Sequence, residues 1–153
     1  MTDRVAVVPV AAEHRAAWEE LYAGYAAFYR VEQTPAMRAT VWGWLFDPAH
    51  EVEGLVALGP GGAPVGLAHF RPFARPLAAS TGGFLDDLFV IPAARGSGAA
   101  QALIQGVAEI GRRRGWTVVR WITAEDNYRG RAVYDRVAEK TRWLTYEIKL
   151  PAP

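Results

Sequence analysis

The sequence predicts an α/β fold: one domain over residues 1–153, in which helices cover both faces of a mixed sheet that is mostly antiparallel with a central parallel pair. Three observations predict it. Two apolar runs near 51–58 and 64–71 flank Pro60-Gly61-Gly62-Ala63-Pro64, a turn sequence that makes them an antiparallel hairpin. A strand, a helix and a second strand follow one another between residues 84 and 123, and such a crossover joins parallel strands in a right-handed sense. A length of 153 residues suits a single core.

The elements follow in order. Val5 to Val10 is an apolar first strand. Trp18, Leu21, Tyr22, Tyr25, Phe28 and Tyr29 recur at helical spacing, so residues 12–30 form an amphipathic helix. Thr34-Pro35 pairs a capping residue with a proline at the first helical position, opening a second helix with Met37, Val41, Trp44 and Leu45 on one face. After the hairpin, residues 72–83 are rich in Pro, Ala and Gly and read as a loop. Phe84 to Ile91 is a dense strand, Pro92 to Gly98 a turn, and 99–114 a helix that Gly115 stops. Arg112, Arg113 and Arg114 fill its last turn, where the macrodipole favours cations. Trp116 to Thr123 is the next strand, Asn127 to Ala138 a helix with Val133, Tyr134 and Val137 inward, and Trp143 to Leu150 alternates as a last strand. The predicted order is β-α-α-β-β-β-α-β-α-β.

Composition narrows the function. Seventeen basic and sixteen acidic side chains leave a net charge of +1, so no global field favours nucleic acid or an anionic membrane as partner. No apolar run approaches the ~20 residues of a membrane span, and the start of the chain carries no signal-peptide h-region, so a soluble cytoplasmic protein is expected. Cysteine is absent, which removes disulfides, Cys-ligated zinc and any acyl-cysteine intermediate. His14 and His50 have no ligand-spaced partners, and no metal site is expected.

The strand–turn–helix at 84–114 carries the strongest chemical signal. A helix N-terminus offers unpaired N–H groups and a partial positive charge. The backbone can approach a phosphate only where side chains are small, and Gly96, Ser97, Gly98, Ala99 and Ala100 are five small residues in a row, with Arg95 at the rim. On spacing alone the same residues serve equally as an ordinary glycine turn. They match neither a Walker A loop nor a dinucleotide fingerprint.

Arg95-x-x-Gly98-x-Ala100, after Asp87-Leu88-Phe89-Val90 and before Leu103-Ile104, resembles the acetyl-CoA motif of the GNAT N-acetyltransferase superfamily. Asn127 followed by Val133-Tyr134-Asp135-Arg136 is similar to that family's second motif, and the element order fits its fold, so the resemblance spans nearly the whole chain. The stretch from Gly66-Leu67-Ala68-His69-Phe70 to Tyr134-Asp135-Arg136-Val137-Ala138 looks like the branch acetylating small amines and amino acids, which includes proteins named as histone acetyltransferases. Gly130 stands where the second motif often has Ala, and Ala138-Glu139-Lys140-Thr141-Arg142-Trp143 intervenes where Gly-Phe often follows.

The resemblance implies acetyl-CoA as co-substrate, a small-molecule amine as acceptor and a homodimer as a possible assembly. It implies that backbone groups of Leu88, Phe89 and Val90 pair with the pantetheine arm, that N–H groups from Gly96 to Gln101 take the pyrophosphate, and that Asn127 bonds the arm. Tyr134 corresponds to the general acid that protonates the leaving thiolate; without the resemblance it reads as a core tyrosine. Asp86 corresponds to a base position, and the alternative for Asp86 or Asp87 is to bind a substrate ammonium or pair with an arginine. Strict strand alternation lets at most one of those two aspartates face a given cleft. His69, Asp87, Tyr25 and Tyr29 are candidate acceptor contacts, the tyrosines as part of an aromatic box. A cofactor-binding module without turnover and a nucleotide-phosphate enzyme are the competing classes.

Overall fold

Every helix and most of the strands form where the sequence places them. The computed structural model describes residues 5–153, which divide into two compact units, one ending at Ile122 and one over Thr123–Pro153. In the first unit, β1 (Ala6–Pro9) leads through a single 3-10 turn to α1 (Arg15–Phe28) and α2 (Pro35–Leu45). The strands β2 (Glu53–Leu58), β3 (Pro64–Arg75) and β4 (Ser80–Val90) follow, then α3 (Ala99–Arg114) and β5 (Val119–Arg120). The five strands form one sheet in the order β1-β2-β3-β4-β5, antiparallel except for the parallel pair β4–β5.

Successive residues of β3 assign the helices to opposite faces. Gly66 faces Leu103 of α3, whereas Leu67 packs with Trp18 and Leu21 of α1 and with Val56. Trp18, Leu67, Phe70, Leu103 and Val107 are at most 1% exposed, and each such side chain contributes about 1.5–3 kcal/mol by leaving water. The Thr34 hydroxyl caps α2, accepting from the N–H of Met37 at 3.1 Å. Its inward face is Val41, Trp42 and Leu45. Met37 and Trp44, expected on that face, are exposed, and Trp44 instead stacks on His50 with ring centroids 4.5 Å apart.

The expected loop at 72–83 instead forms the closed end of a second hairpin, between β3 and β4. Pro72 pairs with Gly83, Phe73 with Gly82, Ala74 with Thr81 and Arg75 with Ser80, around one 3-10 turn at Pro76–Ala78. The glycines that suggested a loop serve close packing. A Cβ on Gly83 would lie 2.3 Å from the Trp116 ring, and one on Gly82 would lie 2.8 Å from the Phe73 ring. Trp116 fills that space, and of the strand expected at 116–123 only β5 is regular, although Thr117 and Val118 still bond Thr81 and Gly83 along the backbone.

The second unit contains α4 (Tyr128–Val137). The last expected strand, 143–150, has no regular secondary structure, and Trp143, Leu144, Tyr146, Ile148 and Leu150 are 79–89% exposed. A strand needs a ladder partner, and Thr123–Pro153 contains no second strand to supply one. The parallel pair therefore stands at the end of the described sheet rather than at its centre. No helix among the described residues is long and apolar enough to cross a membrane.

Candidate active site

The register of β3 against β4 slips once. His69 pairs with Asp87 and Phe70 with Leu85, which leaves Asp86 as the extra residue of a β-bulge. The bulge overturns the expectation that only one of the two aspartates faces a given side. Asp87 lies opposite His69. Asp86 turns to Arg71, whose Nε donates to its two oxygens at 3.3 and 3.1 Å. His69 and Arg71 are two residues apart on one strand and so share a face, the face that α1 covers. Both carboxylates therefore lie on that side. Burial pushes the Asp86 carboxyl above the usual range, Arg71 opposes the rise by charge and hydrogen bonding, and the neighbouring Asp87 adds to it.

Behind Asp87 stands a buried relay. The Trp18 indole N–H donates to Nε2 of His69 at 2.9 Å. An indole N–H can only donate, so Nε2 carries the lone pair and Nδ1 carries the proton. Nδ1 lies 2.8 Å from Oδ2 of Asp87, and the Tyr22 hydroxyl donates to the same oxygen at 2.9 Å. His69 is thus a neutral donor despite its ion-pair distance to the carboxylate. It is 1% exposed, with both ring nitrogens engaged by Trp18 and Asp87.

The aromatic residues of α1 continue this wall. Tyr22 and Tyr25 have ring centroids 6.2 Å apart, Tyr25 and Tyr29 5.0 Å, and Tyr25 meets the Phe89 ring edge-on at 6.1 Å. Burial first, and then the charge of Asp87, push the hydroxyls of Tyr22 and Tyr25 well above the usual phenol range, so both keep their protons. Asp87 with its partners and Asp86 with Arg71 form a group of titratable side chains of which the sequence reveals only part. Tyr22 is legible there as a helix position and Arg71 as an ordinary strand residue, and neither carries a chemical signal without the register.

Beyond the bulge, β4 loses its parallel neighbour. Its pairing with β5 ends at Phe84↔Arg120, while its pairing with β3 runs on to Val90. The edge of Leu88, Phe89 and Val90 that points away from β3 is therefore without a strand among the described residues. Next comes the loop. Gly96 and Gly98 have φ of +83° and +87°, the left-handed region that only glycine enters cheaply, and a Cβ at either would project into open space. Gly98 caps α3 without a side-chain acceptor. Ser97 Oγ accepts from the N–H of Ala99 at 3.3 Å, and the first i→i−4 bond runs from Ala102 to Gly98, so the N–H groups of Ala100 and Gln101 precede the helical ladder. Arg95 is exposed and makes no ion pair among the described residues. An open strand edge followed by an exposed helix start fits a ligand with an amide-bearing arm and a diphosphate.

In the second unit, Asn127 caps α4. Its side-chain oxygen accepts from the N–H of Gly130 at 3.3 Å and its amide nitrogen donates to Thr123 Oγ1 at 3.0 Å. Val133, Tyr134 and Val137 of α4 are half-buried.

The model of the acetyltransferase (GNAT) family matches residues 16–138. The chain is 26% identical over 148 residues to the D-amino-acid N-acetyltransferase HPA3 of Saccharomyces cerevisiae, covering 96% of this chain and 92% of that protein. A ribosomal-protein-alanine N-acetyltransferase from Brucella melitensis biovar Abortus 2308 superposes with a TM-score of 0.79 at 24% identity, covering 96% of this chain and 99% of that one. AAC(6')-Iy, solved in complex with the bisubstrate analog CoA-S-monomethyl-acetylneamine, superposes with a TM-score of 0.79 at 20% identity, covering 97% and 100%. The two structural likenesses speak to the fold.

Proposed function

Because this chain belongs to the acetyltransferase (GNAT) family and is an acyltransferase, we propose that it moves an acetyl group from acetyl-CoA to the primary amine of a small molecule by direct transfer. One observation carries the reading: in β4 and the start of α3, two carboxylates on one face, an open backbone edge and an anion-ready helix start follow one another without interruption.

Acetyl-CoA, when bound, supplies the acetyl group as a thioester. The N–H groups from Gly96 to Gln101, with Arg95 beside them, are suited to hold its diphosphate. The free edge of Leu88, Phe89 and Val90 is suited to its amide arm, and the N–H near Val90 polarises the thioester carbonyl. Asp86 accepts a proton from the acceptor ammonium, a step that costs about 4 kcal/mol at pH 7 for an amine of pKa ~10. A carboxyl raised by burial is the better base. Asp87, Tyr25 and Tyr29 contact the acceptor, Asn127 bonds the arm, and Tyr134 returns a proton to the leaving thiolate.

The test is thiol release with a panel of amines and amino acids, for the native chain and Tyr134→Phe. The variant is expected to lose about 10²–10⁴ in kcat while retaining its affinity for acetyl-CoA. A chain that binds acetyl-CoA and acetylates no member of a broad panel would be a binding module instead.

A further inference from the structure

Arg71 on β3, Phe84 on β4 and Arg120 on β5 stand in direct register, a row of three across the sheet on the face that carries Asp86 and Asp87. The Arg71 guanidinium lies over the Phe84 ring at 5.1 Å. Arg120 crosses β4 to lie over Phe73 at 5.3 Å. That crossing is open because the residue of β4 opposite Phe73 is Gly82. Phe73 and Phe84 meet edge-on at 6.2 Å, so two guanidinium planes rest on one aromatic pair. Only Nε of Arg71 is engaged, by Asp86, and its two η nitrogens have no partner among the described residues. The Arg120 side chain makes no hydrogen bond or ion pair among the described residues. The row therefore has one carboxylate, Asp86, against two guanidiniums, and both keep N–H groups unused.

Resting on the proposed N-acetyl transfer at this site, we propose that the acceptor is an α-amino acid, with its carboxylate held by Arg71 and Arg120 while its ammonium faces Asp86 and Asp87. The ammonium and carboxylate of an α-amino acid are separated by a single carbon. Asp86 and Arg71 are likewise adjacent, so one small zwitterion meets both with matched charges. Arginine is the side chain suited to such a carboxylate, since its planar fork donates two parallel hydrogen bonds. A polyamine brings no anion to the row and places added positive charge beside Arg120. Arg71 and Arg120 thus determine specificity for the acetyl transfer.

The experiment compares alanine with alaninamide and ethylamine, and lysine with cadaverine, by kcat/KM for thiol release. Binding of alanine and alaninamide to the CoA-loaded protein is measured in parallel by NMR titration. The amino acid is expected to exceed its amide or decarboxylated amine by about tenfold to a hundredfold, the range set by one charge-assisted hydrogen bond. Arg120→Gln should bring that ratio close to one, Arg120→Lys should restore part of it, and Arg113→Gln, on the far end of α3, should keep it. Equal rates for the amino acid and its amide would overturn the inference, as would an unchanged ratio in Arg120→Gln. If no amine is acetylated, the acetyl-transfer reading fails by itself. The binding arm still decides the carboxylate site: alanine bound no better than alaninamide refutes it.

Discussion

Replacing Trp18 with Phe isolates the relay behind Asp87. Trp18 is fully buried, and its indole N–H is the donor to His69 Nε2 at 2.9 Å. Phe keeps an aromatic ring and removes the donor. The Nε2 lone pair, on a side chain that is 1% exposed, is then left without a partner. Leaving a buried acceptor unsatisfied costs about 1–3 kcal/mol. Trimming the larger ring within a packed core adds roughly 1 kcal/mol. The total of about 2–4 kcal/mol lowers Tm by roughly 4–16 °C for a domain of this size. Calorimetry or circular dichroism reads the shift. His69→Leu alone leaves the Trp18 N–H unsatisfied and takes a donor from Asp87, so it too should destabilise. The double variant leaves neither ring orphaned and should fall short of additivity by about 1–3 kcal/mol. A Tm within a degree of the native value for Trp18→Phe, or strictly additive effects in the cycle, would refute the relay.

Other outcomes follow from the same geometry. Gly98→Val places a β-branched residue at φ +87°, a strain of about 1–3 kcal/mol, and should lower Tm and shrink the thermal shift produced by acetyl-CoA; an unaltered shift would remove the loop from the cofactor site. The Asp86 carboxyl is raised, so the acidic limb of the kcat/KM profile should lie above the ordinary aspartate value of ~3.9. Arg71→Gln removes the influence that lowers it and should move that limb further up, and a limb that moves down or stays fixed counts against Asp86 as base. The sign for folding is the reverse of the usual acidic case. Because folding disfavours the ionised form of Asp86, its contribution to stability is greatest at low pH and is lost as pH rises through the raised value.

Much of this architecture is legible in the sequence because the governing signals are local. The hairpin at Pro60–Pro64, the Thr34-Pro35 cap and the small-residue run before α3 each need only neighbouring residues to be read. What is not legible depends on distant partners. Residues 72–83 read as a loop because their glycines look like turn residues, when Gly83 in fact makes room for Trp116, more than thirty positions away. The pairing of Asp86 with Arg71 and Asp87 with His69 depends on a register slip that no single strand reveals. The alternation at 143–150 has the right period for a strand, but period alone supplies no partner to bond. Tyr134 and Asn127 stand out by motif, and the capping bond of Asn127 is the part of that reading rooted in local geometry.

The bulge at Asp86 also acts as a phase shifter within one strand. Side chains on a strand alternate with a period of two, and a shift of one residue exchanges the faces of everything beyond it. From Ser80 to Leu85 the phase is set by Trp116 and Phe73, which require glycine at 82 and 83. From Asp87 to Val90 it is set by α1 and His69. The bulge absorbs the extra residue, so each half keeps its own phase against β3. Deleting Asp86 would therefore do more than remove a carboxylate. It would also remove the bulge: Leu85 and Asp87 would become neighbours, still paired with Phe70 and His69 and still on opposite faces, so a one-residue deletion there should preserve the pairing on both sides of it.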